Sequence, residues 1–146
     1  MAKLNRDFAE YMGNDFWDEI VRDSEARLAN PLPFALEALE DLFGHGDDKE
    51  QGFKRFQMKL ESFLWWADDA VQCLEKVVAD PPPHLGDLVR RQAGVVVWVP
   101  GSTGETIGNE AEHEAWLRAT VARLRAMFDA YVAEKTAEMK AQQKGI

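Results

Sequence analysis

Four side chains hold most of the nucleophilic or metal-ligating potential of this chain: His45, His84, His113 and the single Cys73. None has the neighbours that chemistry requires. His113-Glu114 opens like the helical motif of zinc proteases, but the second histidine belongs four residues on, and position 117 is leucine. His45 lies beside Asp47 and Asp48 without another histidine at ligand spacing, and its loop lacks the alternating oxygen donors of a calcium-binding hand. Those aspartates are better read as helix caps, with Asp47 as N-cap and Glu50 three residues later. One cysteine permits neither an intrachain disulfide nor a multi-cysteine metal centre. Its position beside Ala70 and Val77, on an apolar stripe, reads as a buried and inert thiol.

The segment 101–108, GSTGETIG, stands between a strand-like run and a helix, where nucleotide enzymes keep phosphate loops. It lacks the lysine that a phosphate loop needs, and Glu105, Glu110, Glu112 and Glu114 would repel phosphate. Its glycine spacing also departs from the dinucleotide fingerprint, with no alternation of strands and helices around it. The segment reads as a turn. No catalytic residue, metal ligand or cofactor is expected, and the chain is not expected to be an enzyme.

Carboxylates are the remaining polar signal, and they are unevenly placed. Residues 1–50 carry 13 acids against 5 bases, whereas residues 51–146 carry 13 against 12, within a total formal charge of −9. Such a field repels nucleic acid and anionic lipid and favours a basic partner. Asp18, Asp23, Glu37, Glu40 and Asp41 are the leading candidates for a binding face, provided the two helices that carry them pack antiparallel. The competing reading of these residues is a solvated, solubilising surface.

The elements that must position these groups are helical. Phe53, Phe56, Leu60, Phe63, Ala67, Ala70, Leu74 and Val77 follow at spacings of three and four, predicting one long helix over 48–79 closed by Pro81, Pro82 and Pro83. A break near 65–69 is the alternative, because uninterrupted helices of that length are uncommon outside coiled coils. Trp65 and Trp66 point about 100° apart. Trp66 aligns with Ala70 and Cys73 as a core residue, leaving Trp65 at an edge, as a lid or a binding anchor. Lys54, Arg55 and Lys59 should pair with the acidic N-terminal third within the molecule.

Upstream, Leu4, Phe8, Tyr11 and Met12 suggest a short helix ending at Gly13. Asn14 then caps a helix whose apolar side includes Phe16, Trp17, Ile20, Val21, Ser24 and Leu28. Pro33 should open the next helix, with Leu36, Leu39, Leu42 and Phe43 inward and Gly44 as a left-handed stop. Downstream, a short helix over 84–92 precedes Val95-Val96-Val97-Trp98-Val99, the strongest strand signal, which should pair with 105–107. Asn109, with Glu112 in the capping-box position, opens the last helix over 110–138, whose stripe is Leu117, Val121, Leu124, Phe128 and Tyr131; the tail beyond should fray.

The expected fold is therefore mainly α: one domain over 1–146, a helical bundle built on two long antiparallel helices, with a short strand or hairpin at about 95–107. An acidic helical third (1–46), the helix 48–79, the strand and turn 94–108 and the helix 110–138 are its parts. No run approaches the roughly 18 apolar residues of a membrane span, and the chain reads as cytoplasmic. Composition points to a small acidic module that binds and neutralises a basic protein, such as a toxin or a nucleic-acid-binding protein, in the manner of bacterial immunity proteins or antitoxins. Its expected contacts are Asp18, Asp23, Glu37, Glu40, Asp41 and Trp65, with no direct binding of nucleic acid or membrane. The alternatives are a phage-type inhibitor that mimics nucleic acid, and an assembly protein that pairs with its own copy through its long helices.

Overall fold

The computed structural model describes residues 14–144, with side chains from 18 to 143. The helix expected around Leu4–Met12, and the side chains of Asp15, Phe16 and Trp17, lie outside the described residues. Within them the chain forms α1 (Asn14–Ala29), α2 (Pro31–Phe43), α3 (Lys49–Ser62), α4 (Leu64–Ala79), α5 (Leu85–Arg91), β1 (Trp98–Gly101), β2 (Gly104–Ile107) and α6 (Glu110–Lys144). This is the mainly α fold with a small hairpin that the periodicity predicts.

The helix expected over 48–79 is two helices. Phe63 alone separates α3 from α4, at φ −142° and ψ 63°, outside the helical region. The stripe of threes and fours runs straight across this joint, so periodicity conceals it. The physical cause lies in composition: Phe63-Leu64-Trp65-Trp66 is apolar around a full turn, and no single face can bury it. The chain breaks, Leu64 and Trp66 pack against the core, and Phe63 turns out to solvent at 47% exposure. Asn30 is a second one-residue joint, between α1 and α2.

Helix α6, about 52 Å long at 1.5 Å per residue, is the spine along which α3 and α4 lie. It runs antiparallel to α4: Arg118 bonds the Val78 carbonyl at 2.9 Å, Arg125 meets Glu75 at 2.9 Å, and Tyr131 and Lys135 share a hollow with Leu64. It runs in the same direction as α3: Lys49 lies over the Trp116 ring, Arg123 forms a fork with Glu50 at 2.8 and 2.9 Å, and Tyr131 shares that hollow with Leu60. The expected pair of long antiparallel helices thus holds for α4 and α6 alone. α6 also continues past 138 to Lys144, through residues of high helix propensity, with a Lys135–Glu138 pair and a half-buried Met139.

Phe34, Leu39 and Leu42 of α2, Phe56 and Leu60 of α3, Ala70 and Leu74 of α4 and Leu117, Leu124 and Phe128 of α6 belong to one buried cluster. Gly52 lets α3 approach α2 closely, since a Cβ there would fall 2.1 Å from the Phe43 ring. The caps hold as expected at α6, where the Asn109 side chain accepts from the Glu112 N–H and Glu112 accepts from the Asn109 N–H. At α3 the cap is Asp48, one residue later than expected, and Asp47 instead pairs with Arg55. Pro31 rather than Pro33 opens α2, and Gly44 ends it without the left-handed conformation, at φ −87°.

The strand expected at 95–99 begins at Trp98. Val95 is buried and gives its N–H to the Val89 carbonyl, and the Val97 N–H goes to His113 Nε2 at 3.1 Å, so both are spent before the ladder starts. From there β1 pairs with β2 antiparallel, Trp98 opposite Ile107 and Gly101 opposite Gly104.

Candidate functional site

On α2, burial of Phe34, Ala35, Leu36, Ala38, Leu39, Leu42 and Phe43 leaves one outward stripe. Glu37, Glu40 and Asp41 occupy it, within an arc of about 100°. All three line a hollow of about 630 Å³ whose other wall is Lys59 of α3 and Trp66 of α4. The Lys59 ammonium stands 3.3 Å from Asp41, 4.6 Å from the Trp66 ring centre and 5.4 Å from the Phe63 ring centre. Among the described residues neither Glu37 nor Glu40 has an ion-pair partner. The expected pairing of the basic group with the acidic third is therefore real for Lys59 with Asp41, while Arg55 pairs with Asp47 just beyond it, and two carboxylates of the stripe stay uncompensated.

A second, more apolar hollow of about 220 Å³ adjoins the first, sharing Asp41, His45 and Lys59 and adding Met58 and Phe63. Met58 and Phe63 are among the few large apolar side chains exposed in this structure. An acidic stripe beside an exposed aromatic ring and a flexible thioether is the composition of a protein-docking face with an apolar centre. Neither residue stands out in the sequence as a contact. Phe63 fits the core stripe, and only the all-round apolar turn at 63–66 signals that it must leave it.

The remaining expected contacts are placed as follows. Trp65 is half-buried and packs edge-on against Phe63, ring centres 5.5 Å apart. It thereby props the exposed ring. Asp18 and Asp23 are exposed on α1, but five residues apart they diverge by about 140° around the helix. Helices α1 and α2 each pack more extensively on α4 than on one another, and the hollow that gathers the α2 acids is lined by neither Asp18 nor Asp23. The structure brings Glu37, Glu40 and Asp41 together around one hollow.

Buried polar groups tell of structure. Asp69 accepts from Ser24 Oγ at 2.6 Å and from Arg27 at 3.0 Å, linking α4 to α1. His113 is 1% exposed; Nδ1 donates to the Asn109 carbonyl at 2.9 Å and Nε2 accepts from the Val97 N–H, which defines one neutral tautomer. Burial pushes the Cys73 thiol up to about 11, keeping it protonated at neutral pH, with Sγ directed at the Arg27 carbonyl. Burial likewise lowers the Lys49 pKa, while its ammonium donates to the Val96 carbonyl at 2.8 Å. For metal ligation, the described residues bring together one group of three donors, His84, Asp87 and Glu110. No helix among the described residues is long and apolar enough to cross a membrane. The chain matches no family model, no curated protein and no solved structure.

Proposed function

We propose that this chain is a protein-binding antagonist that neutralises a basic partner, of the immunity-protein or antitoxin type, by docking the α2 face over it. The observation that carries this reading is the contiguity of Glu37, Glu40 and Asp41 with the exposed Met58 and Phe63, through hollows that share Asp41, His45 and Lys59. Carboxylates without partners steer a cationic surface at long range, and the apolar pair supplies contact area that survives screening. The formal charge of −9 adds to the steering. Trp65 acts through Phe63, and Asp18 and Asp23 add to the field without forming the contact.

The test is charge reversal. With a partner recovered from the native host, Glu37→Lys with Glu40→Lys should weaken binding on the order of tenfold and flatten its dependence on salt between about 50 and 300 mM. Asp18→Lys with Asp23→Lys should do markedly less, and neither pair should unfold the chain. An affinity indifferent to the α2 reversals would reduce the stripe to a solubilising surface.

A further inference from the structure

The start of α5 and the start of α6 meet. Gly86 makes the approach feasible, because a Cβ there would fall 2.0 Å from the Glu110 carbonyl oxygen. Three donors converge at this junction: the imidazole of His84 and the carboxylates of Asp87 and Glu110, with ligand atoms all within 4.8 Å of one another. Asp87 lies in the first turn of α5, three residues after His84 at its N-cap, and Glu110 arrives from 26 residues beyond His84.

The His84–Glu110 geometry is poor for a hydrogen bond. Nδ1 lies 3.3 Å from one carboxylate oxygen and 3.4 Å from the other, longer than the roughly 2.7–2.9 Å of a charge-assisted bond. It is the right separation for two ligands of one ion: donors about 2.1 Å from a tetrahedral metal stand about 3.4 Å apart. His84 also holds a left-handed backbone, φ 59°, the only non-glycine residue with positive φ among those described, and Pro81, Pro82 and Pro83 stiffen the chain leading into it. The backbone thus sets His84 and Glu110 at ligand separation, while their side chains are solvent-exposed and the full set of three spreads over as much as 4.8 Å, so binding an ion must still draw the donors inward.

We propose that His84, Asp87 and Glu110 form a surface site for a zinc-class divalent cation that clasps the start of α5 to the start of α6. One imidazole nitrogen with two carboxylate oxygens is a donor set suited to zinc, cobalt or nickel ahead of magnesium or calcium. Three protein ligands leave the remaining coordination to water.

Titration of the EDTA-stripped chain with zinc chloride tests this, read by calorimetry and by the ring signals of His84 in NMR. One equivalent should bind saturably, shift the His84 ring and raise Tm. His84→Ala and Glu110→Gln should each weaken binding by about tenfold or more, while His45→Ala, which removes a histidine elsewhere on the surface, should leave it unchanged. Circular dichroism establishes that each variant is folded. Absence of saturable binding, or equal binding by His84→Ala, overturns the site.

Discussion

Arg27 of α1 reaches Asp69 of α4 at 3.0 Å, and with Ser24 it satisfies a carboxylate that is 2% exposed. The same guanidinium lies 4.1 Å from the centre of the Phe34 ring of α2. One side chain therefore ties together three helices, and none of the side chains described on α1 is fully buried. Among its described side chains, α1 is held to the body by this charge network and by half-buried Ile20, Val21 and Leu28.

Removal of the cation should accordingly be costly. Arg27→Ala leaves the buried Asp69 with the Ser24 hydroxyl alone, and a loss of about 2–4 kcal/mol is expected, trimmed below the fully buried case because Arg27 is partly exposed. Urea unfolding measures it. A loss under about 0.5 kcal/mol, the range of ordinary surface changes, would mean that the pair does not anchor α1.

Phe63 and Phe56 separate the two roles of aromatic residues on either side of the joint. Phe56 is fully buried, and Phe56→Ala should cost about 3–5 kcal/mol. Phe63→Ala should cost under about 1 kcal/mol while weakening partner binding, since its ring is exposed beside the acidic stripe. Equal destabilisation by both changes would return Phe63 to the core.

Asp68 offers a pH signature. Burial is the largest influence on it and raises its pKa above the ordinary 3.8, against the lowering effect of the Gln72 amide. Because the folded value lies above the unfolded one, the folded chain holds the proton more tightly between the two. Stability from this group therefore falls as pH rises through that window, and the cost is fully present at pH 7. Asp68→Asn should stabilise at pH 7 by less than about 1 kcal/mol, the side chain being partly exposed, and the gain should vanish below about pH 3.5. Melting curves of the two chains from pH 3 to 8 provide the difference; a gain that persists unchanged into acid would contradict the assignment.

Much of the fold is legible because periodicity reports burial directly: Leu117, Val121, Leu124 and Phe128 are buried, as are Phe53, Phe56, Leu60 and Ala67, Ala70, Leu74. The joint at Phe63 escapes that signal because phase is kept across it. Ser24 falls on the apolar side of its helix, but Asp69 stands off the stripe of its own, and its burial and its bond to Ser24 follow from the packing of α1 on α4. The acidic stripe of α2 follows from helix geometry, but its union with Phe63 and Met58 depends on the bend between α3 and α4. The His84, Asp87 and Glu110 group likewise depends on how two helix starts meet, which no local pattern encodes.

The one-residue joints at Asn30 and Phe63 leave the chain no slack, so sequence length there acts as an angular setting. A single inserted residue beside Phe63 would rotate α4 by about 100° relative to α3, carrying Trp66 off the acidic hollow and Asp69 off Arg27 together. The exposed positions at Gly46 and at Ser102-Thr103, by contrast, lie in turns where added length is absorbed locally. Drift in length over generations, and any engineered graft or circular permutation, should accumulate in those two turns and spare the joints.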